Sequence, residues 1–102
     1  MAITIGNYSF DGPYSSISSL EDRSGVYAIH CRVESKYYLV DVGESAKVKT
    51  RVENHDRADC WRRNCKGQLT VSVLYTENKQ QAGRKEIEQE LRQLYNPPCG
   101  AR

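Results

Sequence analysis

The sequence predicts an α/β domain: a small three-stranded sheet, made of an antiparallel hairpin and one more strand, flanked by helices. Three observations predict it. Two β-rich runs, GVYAIHCRV (25–33) and YYLVDVG (37–43), are separated only by the polar turn Glu34-Ser35-Lys36, and so short a connection makes a hairpin. A third run, LTVSVLYT (69–76), carries Val71, Val73 and Tyr75 on one parity, as a strand does. Helical segments lie between and after these runs, giving the order ββααβα.

The 102 residues are room for one domain, 1–102, with 38% hydrophobic and 27% charged residues, a globular rather than a disordered composition. Residues 1–24 read as an N-terminal extension and 25–100 as the core that carries the motifs. In the extension, Asp11-Gly12-Pro13 is a turn signal, and Ser15 to Leu20 form a short helix or an irregular crossing segment. From Gly25, Tyr27, Ile29 and Cys31 share one parity and Val26 and Ala28 the other, so the strand is largely buried. Gly43 stops its partner, and Ser45 caps a helix from Ala46. There Val48 and Val52 form a buried ridge with Arg51 and His55 on the ridge beside it. Residues 57–66 form a second short helix or an ordered loop. The last helix, about 79–95, is amphipathic through Ile87, Leu91, Leu94 and Tyr95, and Asn96-Pro97-Pro98 ends it.

No apolar run is long enough to span a membrane, and the N-terminus shows no export signal. Four cysteines (Cys31, Cys60, Cys65, Cys99) in such a chain are expected to be free thiols in a reducing cytoplasm. The net charge is +2, yet residues 44–66 hold seven basic side chains against four acidic ones. Such a segment points to a phosphate-bearing partner, with Lys47, Lys49, Arg62 and Arg63 as its contacts.

Two residues break the local pattern. Asp41 sits among Tyr38, Leu39, Val40 and Val42, where a carboxylate is costly unless paired or metal-bound. Glu88 lies at the rim of the apolar arc of the last helix, while Glu86 and Glu90 lie outside it. His55, Cys60, Cys65 and Cys99 also supply four zinc-type ligands, but their spacing is loose and no CxxC pair anchors them.

Together these positions resemble the GIY-YIG nuclease superfamily. Gly25-Val26-Tyr27 matches the first half-motif and Asp41-Val42-Gly43 the second. Arg51 follows Gly43 by eight residues, with His55 four further on. Glu88, Leu91, Tyr95, Pro97 and Gly100 fall on the closing pattern. The resemblance implies a metal-dependent endonuclease hydrolysing phosphodiester bonds in nucleic acid, DNA in preference to RNA. It implies Glu88 as the carboxylate for Mg²⁺ or Mn²⁺ and Arg51 as the phosphate clamp. Tyr27 and His55 would position or deprotonate the attacking water. Sequence specificity would be poor, or would come from a protein partner or from dimerisation. Asp41 stands where the family has its second tyrosine, and Gly100 where it has an asparagine. These departures define the alternative, a catalytically degenerate module that binds nucleic acid or protein. Asp41 is expected to pair with Arg51; otherwise it would join Glu88 around one ion, or lie in solvent at the end of its strand.

Overall fold

The computed structural model describes residues 1–100. The chain runs β1 (Ala2–Ile5), β2 (Tyr8–Tyr14), a 3-10 turn (Ile17–Ser19), β3 (Gly25–Val33), β4 (Lys36–Ser45), α1 (Val48–Glu53), α2 (Ala58–Arg63), β5 (Gln68–Tyr75) and α3 (Gln81–Tyr95). All five strands belong to one antiparallel sheet, in the order β1-β2-β5-β3-β4. The three-stranded expectation is therefore wrong. Residues 1–24 contribute a β-hairpin that pairs with β5. Asp11-Gly12-Pro13 does not end a strand: it falls where the pairing of β2 with β5 shifts register, between Asp11 and Tyr14. A proline, lacking an N–H, is tolerated at such an irregularity.

β3 is buried along its first seven residues, because it has a strand on either side and helices over both faces. Its side chains alternate. Tyr27, Ile29 and Cys31 enter a core with Val48, Val52 and Trp61, on the side of α1 and α2. Val26 and Ala28 enter a second core with Ile5, Phe10, Ile87 and Leu91, beneath α3. Across the pairing of β3 with β4, Ile29 faces Asp41 while His30 faces Leu39, which leaves Val40 of β4 as an extra residue. A bulge re-aims the side chains around it. Here Val40 joins the core of α1 and α2, and the Asp41 carboxylate turns to the same side.

The helices differ from expectation in their details. α1 begins at Val48 rather than Ala46; Ser45 Oγ accepts the Lys47 N–H at 2.9 Å and so caps the turn before it. Asp22 then accepts from the Thr50 N–H and hydroxyl at 3.0 and 2.8 Å. Along α3, Ile87 and Leu91 are buried, but Leu94 and Tyr95 are 61% and 45% exposed. Arg84 and Arg92 complete the buried face instead, and Arg84 pairs with Glu44 at 2.9 Å.

The cysteines also correct the sequence reading. Cys31 is bridged to Cys65 and Cys60 to Cys99, so none is a free thiol or available to zinc. Both bridges start from α2 or the residues just beyond it. One ties that region to β3, the other to the tail after α3. No helix among the described residues is long and apolar enough to cross a membrane.

Candidate functional site

Tyr27 projects from the middle of the sheet, and its phenolic oxygen lies 2.7 Å from Nε2 of His55. The other ring nitrogen of His55, Nδ1, accepts the backbone N–H of Arg57 at 3.0 Å. A nitrogen that accepts carries no proton, so the neutral ring holds its proton on Nε2 and donates it to Tyr27. Burial first, then Arg51 and Arg57, push the His55 pKa down to about 4; the ring is neutral at pH 7. Burial pushes the Tyr27 phenol up to about 12, against the opposing pull of Arg51 and Arg57. Because Tyr27 accepts from His55, its own proton is free to point elsewhere.

Gly43, Gly25 and Gly100 have distinct roles. The Tyr27 ring lies directly over Gly43, where an added Cβ would meet its Oη and Cζ. Gly25 opens β3, paired with both Ser45 and Tyr75. Gly100, at φ +103, abuts the Arg92 guanidinium, with which a Cβ would collide.

Asp41 is fully buried and saturated. Its carboxylate accepts from Arg57 Nε at 2.8 Å, Trp61 Nε1 at 2.7 Å, Arg92 Nη2 at 2.9 Å and the Val42 N–H at 2.8 Å. None of the expected fates is observed: it pairs with Arg57 and Arg92, not with Arg51, has no oxygen left for an ion, and does not lie in solvent. Arg51 turns to Asp56 at 2.8 Å, because the start of α2 brings Arg57 to the bulge in its place. Arg92 is held further by the carbonyls of Cys99 and Val42.

Glu88 is the inward-leaning acid of α3, with its side chain 17% exposed. One oxygen accepts from Arg92 Nε at 3.2 Å; the other has no hydrogen bond to the protein among the described residues. The negative charges of Asp41 and Glu88 are both felt at Tyr27. Of the expected phosphate contacts, Lys47, Arg62 and Arg63 are exposed and Lys49 half-buried. Arg62 is paired with Asp59, and Lys47 and Lys49 act on Asp22. No three of His, Cys, Asp and Glu converge as an ion-binding group among the described residues. Glu88 is thus a lone carboxylate, a donor set that suits a largely hydrated Mg²⁺.

The structure brings Tyr27, Gly43 and His55 into contact, with Arg51 and Glu88 near enough for their charges to act on Tyr27, and adds three residues the sequence reading missed: Arg57, Trp61 and Arg92. The signal for them was Asp41 itself, since a carboxylate inside an apolar strand requires donors. Nothing local identified which ones. A cleft of about 290 Å³, lined in part by Tyr14, Val52, Trp61 and Leu69, opens on the same face. Tyr27, Asp41 and Glu88 are not in its walls. Comparison with protein families, curated proteins and solved structures finds no match to this chain.

Proposed function

We propose that this chain is a GIY-YIG-like, metal-dependent endonuclease acting on nucleic acid, DNA in preference to RNA. One observation carries the reading: a phenol seated on a motif glycine and fixed by a histidine donor, with two guanidiniums and two carboxylates close enough to act on it. Arg51 grips the phosphate and offsets the charge that develops on it during hydrolysis. His55 holds the Tyr27 oxygen through Nε2–H and favours the phenolate over the phenol; with its proton already there, His55 is no base. Tyr27 takes the proton of the attacking water once its own pKa has been lowered by added positive charge. Glu88 would hold Mg²⁺ or Mn²⁺, which when bound supplies that charge and neutralises the phosphate.

A second reading, a module that binds nucleic acid without cutting it, has its own support. Tyr27 is only 1% exposed, and its phenol is held neutral. Purified protein incubated with supercoiled plasmid and Mg²⁺ or Mn²⁺, beside Glu88→Ala, decides between them. Nicking by the natural chain and not by Glu88→Ala is expected. Nicking unchanged in Glu88→Ala is contamination and removes the enzyme. Retardation of plasmid without nicking selects the binding module.

A further inference from the structure

With Tyr27, Asp41 and His55 all buried, the groups the site shows to solvent are chiefly two guanidiniums. Arg51 has its side chain 38% exposed and Arg57 has 26%. They differ in how they are held. Arg51 is paired with Asp56, a carboxylate 72% exposed, and an exposed pair of this kind exchanges readily with another anion. Arg57 is anchored from behind. Its Nε and Nη2 face Asp41 at 2.8 and 3.4 Å, Asp41 is itself locked by Trp61 and Arg92, and the Arg57 backbone N–H is fixed on His55. The Nη1 nitrogen has no hydrogen bond to the protein among the described residues. A guanidinium has five N–H donors, so the anchoring leaves donors over while it fixes their direction.

We propose that Arg57 is a second phosphate-binding cation of this site and that Asp41, in the place of the family's second tyrosine, is its positioning residue. The inference rests on the nucleic-acid reading above and goes beyond it in naming a residue outside the motif positions. Arg57 then supplies a cation in fixed orientation, where Arg51 supplies an adaptable one. Such a division suits a site that must first capture a phosphate and then align it.

The test uses the whole oxidised chain and a fluorescein-labelled DNA duplex in the presence of a chelator, so that binding is read without cleavage. Anisotropy titrations over a salt series give the slope of log K against log salt, whose magnitude is about 0.9 for each phosphate the protein neutralises. Arg57→Gln is expected to bind about tenfold more weakly and to have a slope shallower by about 0.9, the share of one phosphate. Arg57→Lys should keep the slope while cleavage in Mn²⁺ drops through kcat more than KM, because a lysine keeps the charge without the anchored fork. Asp41→Asn should bind no more tightly than the natural chain. Circular dichroism checks that each variant is folded; Arg57→Gln leaves Asp41 its Arg92 and Trp61 partners, so the fold survives it. An unchanged slope and affinity in Arg57→Gln overturns the proposal and leaves the nuclease reading standing. Tighter binding by Asp41→Asn overturns the positioning role, since Asp41 would then be masking Arg57. If the natural chain binds duplex and never cuts it, the nuclease reading fails while the slope still decides Arg57. If it does not bind duplex, both fail.

Discussion

Arg92 Nη2 meets Asp41 Oδ1 at 2.9 Å, joining α3 to β4 across 51 positions of sequence. Both side chains are almost wholly buried, and Trp61 of α2 and Arg57, just before it, reach the same carboxylate. One acid therefore ties two helices, on opposite faces of the sheet, to the bulge of a single strand. Buried charges are strongly destabilising when one partner is removed, since the other is left uncompensated. Asp41→Ala should lower unfolding stability by about 3–5 kcal/mol, measured by urea denaturation, and Asp41→Asn by less. A loss below about 1 kcal/mol in the alanine variant would show the cluster to be incidental.

Gly43→Ala isolates the seat of Tyr27. The added methyl would occupy the position of the phenol edge, and the ring can retreat only by leaving His55. Overpacking of this kind costs about 1–3 kcal/mol. The near-ultraviolet circular dichroism of the aromatic residues should change with it. A variant with natural stability and spectrum would mean that the ring has room the structure does not show.

The disulfides make a third expectation. Oxidised protein denatured in alkylating reagent should carry no label on Cys31, Cys60, Cys65 or Cys99, and peptide mapping should return the pairs Cys31–Cys65 and Cys60–Cys99. Each bridge closes a loop of more than thirty residues, for which about 2–4 kcal/mol of stabilisation is typical. Reduction by a dithiol should therefore lower the denaturation midpoint clearly. Stoichiometric labelling of the unreduced protein would return the chain to the free-thiol reading.

Two buried histidines set a pH dependence. Burial pushes His30, bonded to Ser72 at 2.7 Å, down to about 4, and His55 likewise. Unfolded, each titrates near 6.5, so between about pH 4 and 6.5 the unfolded chain binds more protons than the folded one. Their contribution is thus complete above pH 6.5 and is lost as pH falls toward 4. Melting temperatures measured across this range should fall with acid, and His30→Gln should flatten part of the slope. A profile that is level from pH 7 to 4 would remove both assignments.

How legible this was in sequence depended on whether the signal was local. β3, β4 and β5 each carry enough apolar residues in succession to announce a strand. The hairpin of β1 and β2 does not. In YSFDGPY only Phe10 and Gly12 are buried, and its pairing with β5 spans some sixty residues that no local window covers. The pattern of α3 announces a helix but points to Leu94 and Tyr95 where Arg84 and Arg92 complete the buried face. Arg84 and Arg92 read as solvent-facing by residue type, and they are buried because Glu44 and Asp41 await them. Glu88 could be singled out from its place on the helical wheel, and Tyr27 and His55 through the family resemblance, whereas Arg57 and Trp61 acquire their meaning only when α2 folds onto the bulge. Cysteine pairing is of the same non-local kind.

The hairpin of β1 and β2 has a consequence for any shorter version of this protein. Trimmed to residues 25–100, the chain would leave the backbone N–H and C=O groups along one side of β5 unpaired, a ready template for a strand from another molecule. It would also strip Ile5 and Phe10 from Ile87 and Leu91, opening an apolar trough beside that template. The first fourteen residues thus cover the eight-residue side of β5 and leave at that end of the sheet only the four-residue edge of β1.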